Sequence, residues 1–257
     1  MPTISVILPT YNQALYLPIT IESILNQTYN DFELIIVNDG STDDTPILLK
    51  QYHQPPFCTV ISQTNQKLPG ALNTGFRQAR GKYLTWTSSD NILYPTMLAV
   101  LKDALEAKPD VGLVYADWQL IDTDGNILRE VRTPEFDRLL LMRINYINAC
   151  FLYRREFQDR YGLYNPEYLL AEDWEYWWRL AQVYKMRRVP QILYQFRIHD
   201  QGLTKSAVHT QDKGRSNGYI KLEHDFRSRK FEWFFSKFKW ELLRFKLGED
   251  PKAYYQP

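Results

Sequence analysis

Four short apolar runs between residues 4 and 89, each but the last followed by a stretch of helical period, constrain the fold more than any other feature of the chain. "ISVILPTYN" (4–12) is β-branched and apolar without alternation, the composition of a strand buried on both faces. "LYLPITIESILNQTY" (15–29) follows, with Leu17, Ile21, Ile24 and Leu25 at helical spacing and Pro18 near its start. "FELIIVNDGSTDDT" (32–45) holds a second strand that breaks at Asn38-Asp39-Gly40, with Thr42 or Asp43 placed to cap the helix "TPILLKQYHQ". "CTVISQ" (58–63) is a third strand, "GALNTGFRQAR" (70–80) a short helix closed by Gly81, and "KYLTWTSS" (82–89) a fourth strand. This β-α-β-α-β-α-β order predicts an α/β fold, a mostly parallel sheet with helices on both faces.

In such sheets ligands bind at the carboxyl ends of the strands. Three polar clusters stand there: Pro9-Thr10-Tyr11-Asn12, Asn38-Asp39-Gly40-Ser41 and Ser88-Ser89-Asp90-Asn91. Any one of them reads as an ordinary turn, because Ser, Asp and Asn bond their own backbone. Three at one edge of one sheet predict a pocket. The chain has neither G-x-G-x-x-G after the first strand nor G-x-x-x-x-G-K-[ST] anywhere, so the dinucleotide fingerprint and the P-loop are absent. A phosphate ligand would then need a metal to neutralise it. Mg²⁺ and Mn²⁺ take oxygen ligands, and Mg²⁺ commonly uses only one or two protein carboxylates, a task Asp90 suits.

The second half changes character. "YPTMLAVLKDALEAKPD" (94–110) is a helix, and "VGLVYADWQLIDTDGNILRE" (111–130) is two strands about an Asp124-Gly125 turn. "NACFLYRREFQDRYG" (148–162) is a strand entering a helix, "AEDWEYWWRLAQVYK" (171–185) a helix with an acidic opening, and "RVPQILYQFRIHDQGLTKS" (188–206) a strand and a polar loop. No repeat or low-complexity linker divides the 257 residues, so a single domain of two halves is expected over residues 1–210 (1–93 and 94–210). The net charge of +1 gives no field for nucleic acid, and none is expected as a partner. Cys58 and Cys150 are far apart and lack metal-ligand spacing. With no basic leader and no apolar run of membrane-spanning length, a cytoplasmic setting is expected.

Together "SVILPTYN", "SILNQTYNDFELIIVNDGSTDDT", "ALNTGFRQARGKYLTWTSSDN" and "AEDWEYWWRL" resemble, in order and spacing, the family 2 glycosyltransferases of the GT-A fold over roughly residues 1–206. The resemblance implies a nucleotide-diphosphate sugar donor, a divalent metal (Mn²⁺ or Mg²⁺), a saccharide or lipid-linked acceptor, and inversion at the anomeric carbon. It implies a Rossmann-like donor half and a smaller mixed sheet in the acceptor half. By position, Pro9, Thr10, Tyr11 and Asn12 would line the nucleoside pocket, Asp39 would accept from the base, and Asn73 and Ser89 would lie near the nucleotide. Asp90 matches the metal-holding last Asp of the family's D-x-D motif, whereas Ser88 stands in place of its first Asp and Leu72 where many members carry Arg. Glu172-Asp173 matches the family's catalytic pair, with Asp173 as general base and Glu172 its nearest competitor; taken alone it is an acidic first helical turn favoured by the helix dipole. His199 lies in a loop like one that closes over the diphosphate and is a candidate metal ligand, although a His in a polar loop is ordinarily a surface residue. Trp174, Trp177 and Trp178 read either as core or as a stacking surface for an acceptor sugar.

Residues 215–257 lie outside the resemblance, and residues 211–257 carry eleven Lys/Arg against seven Asp/Glu. "KFEWFFSKFKWELLRFKLG" has two apolar stripes at helical spacing, one of them Trp233, Trp240 and Leu247. A helical extension is expected here, packed on the body with its second stripe against a partner subunit (a homo-oligomer) or peripherally on an anionic membrane.

Overall fold

The computed structural model describes residues 1–202 and Lys221; apart from Lys221, the expected helical extension of residues 211–257 lies outside them. In chain order the elements are β1 (Ile4–Thr10), α1 (Leu17–Leu25), β2 (Phe32–Asn38), α2 (Thr45–Leu49), β3 (Cys58–Ser62), α3 (Lys67–Gln78), β4 (Tyr83–Trp86), β5 (Ile92–Leu93) and α4 (Met97–Glu106). They continue with β6 (Val111–Ile121), β7 (Ile127–Val131), α5 (Arg138–Leu141), β8 (Phe151–Arg154), α6 (Arg155–Tyr161), α7 (Glu172–Ala181) and β9 (Lys185–Arg197).

All the described strands join one sheet in the order β3-β2-β1-β4-β8-β6-β9-β5, with β7 beside β6. β3, β2, β1 and β4 run parallel, in a register that sets Val6 beside both Leu34 and Thr85. The expected smaller mixed sheet is the far end of this same sheet. β8 enters antiparallel between β4 and β6, and β9 then lies parallel to β6. A short strand such as β4 has its free edge covered this way, which removes the need for a second sheet.

Successive residues of β1 and β2 point to opposite faces, and both faces are buried, which is why these runs are apolar throughout. Val6, Leu8, Leu34 and Ile36 pack with α1 and α4 in one core, while Ile7, Ile35 and Val37 pack with α3 and α7 in the other. The aromatic residues of α7 belong to this second core: Trp174, Trp177 and Trp178 are all buried, so the helix packs them inward instead of offering a stacking surface.

Three boundaries differ from expectation. α3 begins at Lys67 with Pro69 in its first turn, where a proline is tolerated. α2 is only five residues long before tightening into a 3₁₀ turn, and Asp43 Oδ1 accepts from the Thr45 N–H at its start. α5, in the unpatterned stretch before β8, was not expected; Asp137 caps it by accepting from the Leu139 and Leu140 N–H groups. Among the described residues no helix is long and apolar enough to cross a membrane.

Candidate active site

The three polar strand ends do converge. Asn12, at φ +52°, accepts from the Thr42 N–H through Oδ1 (2.8 Å), and its own N–H donates to Ser41 Oγ (3.0 Å). Ala14 N–H donates to Asp43 Oδ2 and Gln13 N–H to Thr45 Oγ1, so the loops after β1 and β2 form one rim. Gly40 makes the turn at φ +77°, and a Cβ there would meet the Asn65 nitrogen at 2.9 Å. Within this rim Pro9 and Thr10 are buried, Tyr11 is 47% exposed, and Thr10 Oγ1 is buried without a hydrogen-bond partner.

Asp39 is buried just past β2, and its Oδ1 accepts from Gln63 Nε2 (2.7 Å) and the Gln66 N–H (2.8 Å). Those bonds hold the carboxylate through Oδ1. Asn73 is engaged within the protein. Its amide donates to the Tyr164 carbonyl (2.8 Å) and accepts from the Tyr164 N–H (3.0 Å), so both ends of the side chain are spent holding the approach to α7. Leu72 is fully buried in the core of α3, with no polar contact to make at the position where many members carry Arg.

Asp90 Oδ2 and His199 Nε2 lie 2.9 Å apart, and Asp90 Oδ1 is buried without a partner. His199 is 5% exposed, so it is not a surface histidine. Three residues outside the expected set hold this pair. Arg197 Nε donates to the Asp90 carbonyl (3.0 Å), while its Nη1 reaches the carbonyls of Asp122 and Thr123. The Tyr16 ring packs against both the His199 ring, at 4.8 Å between centroids, and the Arg197 guanidinium. Asn91 Oδ1 accepts from the Arg197 N–H (2.8 Å), binding the loop after β4 to the end of β9. A buried carboxylate oxygen without a proton donor, next to an imidazole, is a donor set that fits a divalent cation. Among the described residues no group of three His, Cys, Asp or Glu forms a metal cluster, so further ligands would come from a bound phosphate and water. Ser89 is buried beside Asp90 and Ser88 is half-buried.

The second acidic centre opens α7. Glu172 is 3% exposed and its Oε2 is buried without a partner, whereas Asp173 keeps part of its surface open. Asp173 Oδ1 accepts from the Trp174 N–H (2.7 Å) and Oδ2 from Asn145 Nδ2 (2.8 Å). Burial raises the carboxyl of Asp173, and these donors oppose the rise. Burial, then the charge of Asp173, push Glu172 up to about 8. Two such neighbours do not both ionise at neutral pH, and the one with hydrogen-bond donors, Asp173, carries the charge. Asp117, another buried acid of this half, is engaged by its own partners: Arg188 binds both its oxygens at 2.6 and 2.9 Å, and Thr133 donates to Oδ1 twice. Tyr164 joins the two centres, since its hydroxyl accepts from Trp86 Nε1 at the end of β4 (3.0 Å) and its ring stacks on Tyr176 of α7.

Asn145 and Tyr16 carried no sequence signal for these roles. Arg197 stands two residues from His199 in "FRIHD", which was the one usable hint. Asn145 lies in the unpatterned stretch beside α5 and offered none.

The model of the family described as Glycosyl transferase family 2 matches residues 5–162. The chain is 30% identical to the chondroitin synthase of Escherichia coli over 204 residues, covering 77% of this chain and 29% of that one. It thus spans less than two thirds of that relative's length, and the same holds for an uncharacterized glycosyltransferase of Rickettsia conorii, of which it covers 36%. The Staphylococcus aureus TarS structure in complex with UDP-GlcNAc superposes with a TM-score of 0.65 at 18% identity, covering 95% of this chain and 78% of that one. A mannosyltransferase from Pyrobaculum calidifontis, solved with GDP-Man and Mn²⁺, superposes at 0.63 with 21% identity, covering 98% and 77%. With the fold that these neighbours share and a family match over more than half its length, the chain belongs to glycosyltransferase family 2 and has the GT-A fold.

Proposed function

We propose that the chain is an inverting, metal-dependent, non-processive glycosyltransferase. It moves a sugar from a UDP- or dTDP-sugar to a hydroxyl of a saccharide or lipid-linked acceptor, in the synthesis of cell-surface polysaccharide or glycoconjugate. The observation that carries this reading is Asp90, with one oxygen beside His199 and the other buried and unpartnered at the carboxyl end of β4. Neighbours of the same fold were solved with UDP-GlcNAc and with GDP-Man and Mn²⁺, which supports a nucleotide-sugar donor and a metal.

Asp90 and His199 would hold the cation, and a carboxylate beside an imidazole suits Mn²⁺ better than the all-oxygen preference of Mg²⁺. Bound there, the cation would offset the charge of the donor diphosphate and of the leaving group. Asp39 accepts a hydrogen bond from the base. Thr10, with a hydroxyl that finds no partner in the protein, binds the nucleoside. Asp173 removes the proton from the acceptor hydroxyl as it attacks the anomeric carbon opposite the diphosphate, a single displacement that inverts the centre. The two carboxylates divide the work, Asp90 on the donor side and Asp173 on the acceptor side. Apolar stripes in residues 211–257 would serve a membrane or subunit contact.

The test is release of free nucleoside diphosphate across a panel of UDP-, dTDP- and GDP-sugars with Mn²⁺, Mg²⁺ or chelator, together with calorimetric donor binding. Wild type should bind and turn over one donor only with metal present, and Asp90→Ala should lose the metal-dependent part of binding. Donor binding without any release, with every metal and a range of acceptors, would instead make the chain a nucleotide-sugar-binding member without turnover. Metal dependence unchanged in Asp90→Ala would remove the metal assignment.

A further inference from the structure

Asp173 is held by a residue from outside its own helix. Of the two oxygens, Oδ1 is occupied by the N–H of the next residue in α7. Oδ2 is different, since its donor, Asn145 Nδ2 at 2.8 Å, comes from the chain between α5 and β8. Asn145 also lines a shallow groove with Trp118, Ile144, Tyr146 and Asn148, with room for about 20 Å³. An amide N–H can donate but does not ionise at neutral pH. It therefore favours the charged form of Asp173 without competing for the proton that the base must take.

We propose that Asn145 is the positioning residue of the catalytic base, fixing the carboxylate of Asp173 in rotamer and in its ionised form so that its remaining lone pairs face the acceptor hydroxyl. This rests on the reading of Asp173 as the base. The titratable groups whose fields couple to Asp173 are Glu172, on the same helix, and Tyr164, on the connection between α6 and α7. Glu172 is held neutral by burial, and burial likewise raises the Tyr164 phenol far above neutral pH. Neither is a cation, so the Asn145 amide is the side-chain contact that favours the charged base.

The test is the pH profile of kcat at saturating donor and Mn²⁺ for wild type, Asn145→Ala, Asn145→Asp and Asp173→Asn, with calorimetric donor binding as a control for folding. Asn145→Ala should move the acid limb of the profile up by about one pH unit, the size expected for one hydrogen bond to a charged group, and lower kcat about 10-fold at pH 7. The isosteric Asn145→Asp should move the limb further in the same direction, because a second carboxylate then faces the first. Donor binding should stay within about twofold of wild type in both. A limb that stays in place in Asn145→Asp, with donor binding intact, overturns the proposal, as does a fall in activity without any shift. Failure of the underlying reading looks different: Asp173→Asn would keep near-normal turnover.

Discussion

At the residue scale, the pair that opens α7 shows how neighbouring acids acquire different surroundings from burial and donors alone. Asp173 has two hydrogen-bond donors and some exposure, whereas Glu172 has a buried, unpartnered oxygen. Asp173→Asn preserves the shape but cannot accept a proton, so turnover should fall by roughly 10²–10⁴-fold with donor binding retained. Glu172 makes a separate prediction about stability. Its folded value of about 8 lies above the unfolded one near ~4.3, so the folded chain binds the extra proton between them. Its contribution to stability is complete below the unfolded value and is lost as pH rises toward 8. Glu172→Gln, neutral throughout, should hold its Tm from pH 5 to 8 while wild type falls. The gap at pH 8 should reach several degrees, since each kcal/mol moves a chain of this size by roughly 2–4 °C. Thermal scans at the two pH values measure it, and parallel losses in both proteins would mean that Glu172 is ionised in the fold.

At the element scale, α3 packs closely on the parallel strands. Gly75, in the middle of that helix, lies against β1, and a Cβ there would stand 2.4 Å from Ile7 Cγ2 and 3.3 Å from Val37 Cγ2. Both neighbours are fully buried branched side chains with no room to retreat. Gly75→Ala should therefore cost about 1–3 kcal/mol by overpacking, although alanine is the better helix former. Denaturant unfolding would show the midpoint falling; a rise, as expected from propensity alone, would mean that the helix shifts outward freely. Much of this element was legible in the sequence as a run between two strands. Its start at Lys67 was not, because the first turn holds a Pro and a Gly that read locally as a loop.

Over the whole molecule, the halves share a sheet and both cores. β8 pairs with β4 on one side and β6 on the other, and Tyr164 is bonded through its backbone to Asn73 and through its hydroxyl to Trp86. Its ring stacks on Phe76 at 5.6 Å and on Tyr176 at 4.3 Å, so one side chain links α3, β4 and α7. Tyr164→Ala should cost about 3–5 kcal/mol, as removal of a buried aromatic does, yet unfolding should remain one cooperative transition. Calorimetry with fluorescence and circular dichroism as separate probes checks this. Two separated transitions in the variant would show that the halves are held together by this side chain alone.

The sequence by itself determined the strand–helix alternation, the polar strand ends and the acidic start of α7. Those features are local: apolar runs must be buried, and Asp, Asn, Ser and Gly must end them. Through its family resemblance it also singled out Asp39, Asp90, His199, Glu172 and Asp173 as candidate site residues. Only the tertiary structure decided which of these groups are free to act. Asn73 is spent on Tyr164, Asp117 is locked by Arg188 and Thr133, and the α7 tryptophans are core, all through partners distant in sequence. The supports of the two acidic centres were equally invisible. Arg197 reaches Asp90 across 107 positions and Asn145 reaches Asp173 across 28, and no local pattern encodes a hydrogen bond made by chain segments that meet only once the sheet has formed.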